Sequence, residues 1–443
     1  MTRSDRHNGH CGLDFGTSNS TIGIAAGGGY ELCKLEGDSV TLPSAIFFDY
    51  EAKTVRYGRD GVRAYIEGHE GRLLRSLKSV LGSSLIDDTT LIHRKRVAFR
   101  DIIGMFMRHL KALAERQMDR EVDRVVLGRP VRFVDDDDQA DRRAESELIG
   151  IARAQGFRHV ETQFEPVAAA LAYEQDLDRE ELALIVDLGG GTADFVVARL
   201  SPDRARLMDR SQDILGRSGV HIGGTDFDRR LSIAHVMPHL GRNTLVGEKR
   251  LPAPRHMYHD LATWHLIPTV YTPSNLNYLR SVLPTAAEPE LIQRFIDVLV
   301  DRRGHHIAAE VEAAKIVLSD RPKVMLRIPL RTAIETAITT EDLGRAVHDD
   351  SLRIIRAIDD CLQSAGVSGS VIQSVFLTGG STAIAEVRRQ ILQRLPNARP
   401  VSGDLFGSVG LGLAIDAERR FGSGARHAVN SNAFQSQMTQ GNS

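Results

Sequence analysis

A glycine-rich hairpin that occurs twice constrains this chain more than any other feature. Residues 185–200, I-V-D-L-G-G-G-T-A-D-F-V-V-A-R-L, run from an apolar stretch through Asp187 into Gly189, Gly190 and Gly191, then resume as an alternating strand at Ala193. The pattern predicts a β-hairpin with a turn bare of side chains. Glycines there let backbone N–H groups converge on an anion that larger residues would hold away. Asp187 and Asp194 flank the turn, and because carboxylates repel phosphate, the pair makes most sense with Mg²⁺ bridging it to a nucleotide. A plain tight hairpin could carry the same glycines, but residues 12–25, G-L-D-F-G-T-S-N-S-T-I-G-I-A, repeat the design. An apolar lead ends in Asp14, Gly16 is followed by Thr17 and Ser18, and a second strand follows. One supersecondary unit used twice predicts two similar lobes facing a shared cleft.

With 443 residues, 42% of them apolar, the chain can bury a large core and should form two or more domains. Its net charge of −2 comes from 56 basic and 58 acidic residues, a balance that points to neither a nucleic acid nor a membrane surface. Cys11, Cys33 and Cys361 are odd in number and lack CxxC spacing, so disulfides and structural zinc are not expected and a reducing cytoplasm is. The first residues have no apolar signal core, and no apolar run is long enough to predict a transmembrane helix.

Along the chain, strands are expected at 30–35 and 45–50, and a mostly helical stretch at 58–82 that carries Lys78. Residues 99–118 read as an amphipathic helix, with Ile103, Phe106, Leu110 and Leu113 on one face. The acidic run 135–138 reads as the start of a helix reaching Ala154 rather than as a metal cluster, because carboxylates cap free N–H groups there. At 164–173, F-E-P-V-A-A-A-L-A-Y, a strand end passes into an alanine-rich helix built for close packing, with Glu165 at the junction where α/β sites collect. Residues 219–231 set Gly223-Gly224 beside an acidic pair and open a helix. From 232 to 304, seven prolines and Trp264 predict an irregular, partly helical inserted lobe. His305 and His306 are neighbours on a helix, so they point apart and make a poor metal pair. Helical periodicity is expected at 307–318 and 342–365, a strand near 324–328, and a last helix at 408–420. In 371–384 an apolar strand meets Gly379-Gly380, hydroxyls and a helix start, the arrangement that binds phosphates or sugar hydroxyls. The polar, aperiodic stretch 422–443 is expected to be disordered.

Five blocks, 14–20, 164–173, 186–194, 222–228 and 377–382, together resemble the nucleotide site of the actin-like ATPase superfamily. Within it they resemble the seventy-kilodalton heat-shock chaperones of DnaK type, in a short YegD-like branch. The resemblance implies an α/β actin-like ATPase fold, two duplicated RNase H-like lobes around a nucleotide cleft. It divides the chain into lobes 1–174 and 175–421, with an inserted helical subdomain at about 229–320. It also implies ATP as ligand with Mg²⁺, K⁺ being admissible. Asp14 and Asp187 would hold Mg²⁺ through water. Gly16, Thr17, Ser18, Asn19, Gly189, Gly190, Gly191 and Thr192 would wrap the phosphates, with Gly223, Gly224 and Thr225 also contributing. Lys78 would reach the γ-phosphate, and Glu165 and Asp194 would orient water. Glu312, Lys315, Ser319, Gly379, Gly380, Ser381 and Asp404 would take the ribose and adenine.

Ile316 and Ala383 stand where the family places the arginines that sandwich adenine, so cation–π stacking is expected to be lost. No apolar linker and peptide-binding domain follow 414–420 in this sequence, so client refolding is not expected of it alone. The first functional expectation is a slow chaperone-type ATPase that signals to a protein partner. A sugar-type kinase and an actin-like filament protein remain open beside it.

Overall fold

The computed structural model describes residues 9–135, 137–207, 210, 212–402 and 407–422. The expectations for residues 1–8, Asp136, Asp404 and the tail beyond Gly422 lie outside them. The chain divides into two compact units, Met1–His221 with Ala357–Gly380 and Arg394–Ser443, and Ile222–Arg356 with Ser381–Gln393.

The first unit opens with β1 (Gly9–Phe15), β2 (Asn19–Ala26), β3 (Gly29–Leu32) and the short β4 (Leu42–Pro43). Strands β5 (Ala45–Asp49), β6 (Thr54–Tyr57) and β7 (Gly71–Arg75) make a small sheet on which α1 (Gly58–Ile66) packs, and β8 (Thr89–Ile92) pairs with β9 (Lys95–Ala98). Next come α2 (Phe99–Met118), β10 (Val122–Arg129), α3 (Asp138–Ala154), β11 (His159–Phe164), α4 (Glu165–Glu174), β12 (Glu181–Leu188), β13 (Ala193–Leu200) and β14 (Ile214–Val220). The second unit begins with α5 (Gly224–His235), the hairpin of β15 (Leu245–Val246) and β16 (Leu251–Pro252), α6 (Arg255–Leu261), α7 (Ile267–Val270), α8 (Pro273–Val282) and α9 (Pro289–Val300). It continues through α10 (Gly304–Asp320), β17 (Lys323–Ile328), β18 (Ile334–Thr339) and α11 (Thr340–Ala346). Then α12 (His348–Ser364), β19 (Ser374–Thr378), α13 (Ala385–Arg394), β20 (Arg399–Ser402) and α14 (Ser408–Phe421) complete the chain.

The duplication seen in the two hairpins extends to whole sheets of the first unit. One sheet runs β11-β10-β1-β2-β3 and the other β20-β19-β12-β13-β14. In each, three antiparallel strands are followed by two parallel ones: β1 is antiparallel to β2 and parallel to β10, and β12 is antiparallel to β13 and parallel to β19. The hairpins also share register. Phe15 pairs with Ser20 and Leu188 with Ala193, so Gly16-Thr17-Ser18-Asn19 and Gly189-Gly190-Gly191-Thr192 are equivalent turns.

Each fifth strand leads to a helix, α4 after β11 and α14 after β20, and the two helices cross. A Cβ added at Gly412 would lie 1.7 Å from the Ala168 carbonyl oxygen, so the backbones touch. Helix α14 covers β1 and β2 while α4 leans on β12 and β13, which joins the two sheets through one core of Val167, Ala168, Ile185, Val196, Phe376 and Leu413. The alanines of α4 are thus a packing device, as their spacing predicts.

Three sequence expectations need correction. Residues 58–82 are not mostly helical: α1 ends at Ile66, Gly68 turns the chain at φ +91°, and β7 pairs with β5 because the apolar side chain of Leu73 is buried there. Residues 232–304 are partly helical as expected but regular rather than irregular, with the short helices α6–α9 following the β15–β16 hairpin. Pro238, Pro268, Pro273, Pro284 and Pro289 each sit in a first helical turn, where the missing N–H costs nothing. The helix expected over 342–365 is broken at Val347, whose carbonyl also accepts the Ser351 hydroxyl at 2.9 Å, a bond that bends helices. The helices over 99–118 and up to Ala154 form as expected, with the Asp137 carboxylate accepting from the N–H groups of Gln139 and Ala140. No helix among the described residues is long and apolar enough to cross a membrane.

The α4–α14 crossing gives a direct test. Gly412→Val should destabilise the protein by about 3 kcal/mol, since overpacking a tight core typically costs 1–3 kcal/mol and a backbone clash relaxes poorly. A chemical-denaturation midpoint equal to that of the wild type would contradict the crossing.

Candidate functional site

The two equivalent turns meet. A Cβ added at Gly190 would lie 2.1 Å from the Ser18 hydroxyl, and one at Gly191 would lie 2.8 Å from that of Thr17. Behind the first turn, Ser44 donates its N–H to the Ser18 carbonyl at 2.9 Å and its hydroxyl to the Gly16 carbonyl at 2.6 Å. Beside the second, Gly379 adopts φ +80° at the end of β19, and a Cβ there would lie 2.2 Å from the Leu188 carbonyl oxygen.

The strands feeding these turns carry the charges. Asp14 sits on β1, and Asp187 and Asp194 are directly paired across β12 and β13. Glu165 opens α4 and forms a short, buried ion pair with Lys78. Lys78 lies on a single 3₁₀ turn, Leu77–Val80, not on the longer helix its surroundings predict. Ser76 makes that turn by adopting a left-handed conformation at φ 55° and ψ 37°, uncommon for a residue with a Cβ. The chain thereby leaves β7 and drives Lys78 inward until it is only 5% exposed.

The electrostatics follow from crowding acids around one base. Burial, then the charges of Glu165 and Asp187, push the Asp14 carboxyl well above its ordinary range. Burial, Glu165 and Asp194 do the same to Asp187. Asp194 is pushed up to about 7 by burial and Glu165, against hydrogen bonds from Thr192 and from the Val131 N–H. Burial works to discharge Lys78, but Glu165, Asp14 and Asp194 together hold its ammonium charged and its pKa raised. Removing one partner from the buried Lys78–Glu165 pair would cost roughly 3–5 kcal/mol.

Two carboxylate oxygens, Asp14 Oδ1 and Asp194 Oδ2, are buried without a hydrogen-bond partner among the described residues. Asp194 Oδ1, by contrast, accepts from the Val131 N–H at 2.6 Å. Among the described residues no three His, Cys, Asp or Glu side chains are grouped to hold a metal directly. The two unpartnered aspartate oxygens are hard donors of the kind a largely hydrated cation such as Mg²⁺ takes, one or two carboxylates at a time.

The second unit contains a separate group of predicted residues. Gly223 caps α5, its N–H donating to the Asp226 carboxylate at 3.0 Å. Lys315 of α10 lies 2.8 Å from Asp228 Oδ1 and donates to the Gly224 carbonyl at 3.0 Å. Glu312, Lys315 and Ser319 lie on the partly exposed side of α10, while Ile307, Val311, Ala314 and Leu318 face its core. His305 is buried against the Trp264 ring, with centroids 5.3 Å apart.

Sequence reasoning missed four contributors. Ser76, Ser44 and Val131 act through backbone conformation or long-range pairing and leave no local signal; Asp228 lay inside a quoted block, but its partner is distant in sequence.

A family model described as "Hsp70 protein" matches residues 10–249 and 291–418. The chain belongs to the Hsp70 family. Members of that family are ATPases of actin-like fold, and the paired five-stranded sheets described above are that fold. The chain is 26% identical to the chaperone protein HscA of Serratia proteamaculans (strain 568), over 92% of its own length and 57% of the relative's. It is 24% identical to the HscA homolog of Actinobacillus pleuropneumoniae serotype 5b (strain L20), with the same two coverages. It is 24% identical to the chaperone protein DnaK of Mycoplasmopsis synoviae (strain 53), over 91% of this chain and 57% of that one. The chain thus spans less than three fifths of the curated relatives it matches.

The acid cluster makes stability depend on pH. The folded pKa of Asp194 is raised from 3.8 to about 7, so its proton is held more tightly in the fold. Its contribution is complete below the unfolded value and is lost as the pH rises to about 7, with Asp14 and Asp187 acting in the same direction. Nucleotide-free protein should lose a few kcal/mol between pH 5 and 8, and Asp194→Asn should flatten part of that slope. Parallel melting curves for the two proteins across that range would refute the assignment.

Proposed function

We propose that this chain binds Mg-ATP between the two hairpin turns and hydrolyses it slowly, as a chaperone-type ATPase whose nucleotide state is read by a protein partner. The observation that carries this reading is the contact of the two equivalent turns, Gly190 on Ser18 and Gly191 on Thr17, above a buried set of acids and one lysine. Backbone N–H groups of both turns would converge on the β- and γ-phosphates. Asp14 and Asp187 would hold Mg²⁺ through water, and the ion would neutralise phosphate charge as the transferred group departs.

The remaining roles belong to the chain's own side chains. Lys78, kept charged by Glu165, Asp14 and Asp194, would stabilise the γ-phosphate oxygens in a site where water is scarce. Glu165, fixed at the start of α4, would orient the attacking water. Asp194 Oδ1 is occupied by the Val131 N–H, which leaves Oδ2 to accept that water's proton. From the family resemblance come the nucleoside contacts Glu312, Lys315, Ser319, Gly379, Gly380 and Ser381, the further phosphate contacts Gly223, Gly224 and Thr225, and K⁺ as an admissible second cation. The three free, buried cysteines support a cytoplasmic site of action.

Mg-ATP at about one hundred times its dissociation constant should stabilise the fold by about 2.7 kcal/mol, and ATP with a chelator by much less. Lys78→Ala and Asp194→Asn should each lower phosphate release by roughly 10²–10³-fold. Hydrolysis by Asp187→Ala at the wild-type rate would sink the proposal, as would the absence of any thermal shift with Mg-ATP.

Base recognition offers a second check. Ile316 is 59% exposed where the family has an arginine, so Ile316→Arg should tighten ATP binding a few-fold by restoring about 0.5–1 kcal/mol of cation–π attraction. Calorimetric titration would show it; unchanged or weaker affinity would remove Ile316 from the base contacts.

A further inference from the structure

The β8–β9 hairpin carries a surface that the proposed ATPase site does not use. Ile92 pairs with Lys95, so its turn consists of His93 and Arg94 alone, at φ 45° and 65°. Two successive left-handed residues are the type I′ geometry, for which Asn-Gly is the usual solution because both conformations are unfavourable for residues with large side chains. Here the turn is held from one side, with the His93 ring centroid 4.4 Å from that of Tyr50. Strained conformations of this kind persist where surrounding structure over-determines them, and they concentrate at binding sites.

What the turn displays is cationic. His93, Arg94, Lys95 and Arg96 are all exposed. Arg94, Lys95 and Arg96 form no ion pair among the described residues, although neighbouring arginines do, Arg100 with Asp87 for example. Among the described residues Arg96 reaches the Thr89 hydroxyl, at 3.3 Å. In an antiparallel pair, opposed residues share a face. Thr90 and Ile92 point inward and are buried, so Leu91, 60% exposed, points outward beside its cross-strand partner Arg96. The result is one large apolar side chain, Leu91, beside Arg96 on a two-stranded tip whose turn carries Arg94.

We propose that this tip is a docking surface for an acidic segment of a partner protein, with carboxylates on Arg94 and Arg96 and an aliphatic side chain seated on Leu91. Its charge complements an anion, and Leu91 discriminates among anions. Single-stranded nucleic acids are held by free aromatic faces, and the one ring on the tip, His93, already packs on Tyr50. The surface lies outside the acid cluster and requires no nucleotide.

The test uses the full chain and a fluorescein-labelled oligoglutamate peptide with one central leucine, read by fluorescence anisotropy. Binding should weaken steeply with added salt. The double reversal Arg94→Glu, Arg96→Glu should lose on the order of tenfold in affinity, since each exposed pair contributes a fraction of a kcal/mol up to about one. Leu91→Ser should weaken the leucine peptide but not the same peptide with serine in its place. Arg94→Gly guards against misfolding: glycine suits the left-handed position, so this variant should melt no lower than wild type and still bind more weakly. Equal peptide affinity for wild type and Arg94→Gly would overturn the proposal. So would tighter binding of oligouridylate than of the leucine peptide, or no preference for leucine over serine.

Discussion

Everything at the candidate site hangs on the crossing of α4 and α14. Each helix ends one copy of the duplicated five-strand unit and packs on the sheet of the other copy, α14 on β1 and β2, α4 on β12 and β13. The backbones can approach this closely only because position 412 has no side chain and positions 168–170 carry methyl groups. A wider crossing would separate the sheets, and with them the turns at 16–19 and 189–192. Glu165 depends on the same contact, since α4 is buried along nearly its whole length and its first residue cannot move without the helix. The geometry of the acid cluster is therefore a consequence of helix packing, not of the turns themselves.

The cluster is costly in the absence of a cation. Asp14, Glu165, Asp187 and Asp194 surround one lysine, and desolvation is the largest influence on three of these acids. Two of their oxygens are buried without a partner among the described residues. Such an arrangement does not stabilise a fold, and proteins tolerate it where a ligand supplies the missing charge. The left-handed Ser76 is a second unfavourable feature at the same place, and it is what carries Lys78 into the cluster. Strain and unpartnered carboxylate oxygens thus coincide at this site.

That coincidence explains what could be read from the sequence. The hairpins, the helix over 99–118, the cap at Asp137 and the junction at Glu165 follow from local rules of periodicity, turn chemistry and capping, and they stand where those rules put them. Lys78 was recognisable only through family resemblance. Its local pattern reads as helix, and the strand β7 that precedes it exists because β5, remote in sequence, offers a partner. The prolines of 232–304 were read as marks of an irregular, partly helical lobe, and five of them each begin a helical turn. Ser44 and the Val131 N–H act on the two turns across gaps of dozens of residues, and no local pattern marks them.

Register exposes where the two copies have diverged. Asp14 lies opposite Thr21, and the equivalent Asp187 lies opposite Asp194. The position across from the first aspartate sits under α14: Thr21 is 1% exposed, and a Cβ on Gly410 would lie 2.4 Å from its hydroxyl oxygen. A longer carboxylate side chain at that position would press on the α14 backbone, and its charge would be buried. In the second copy the corresponding carboxylate has the Val131 N–H on one oxygen and none of the described residues on the other. Both positions are 1% exposed, so what differs is the neighbour: the α14 backbone at Thr21 and the Val131 N–H at Asp194. A fold built by duplication therefore has two equivalent glycine-containing turns but a second aspartate across from the first in only one of them, the hairpin whose opposing position α14 does not press upon.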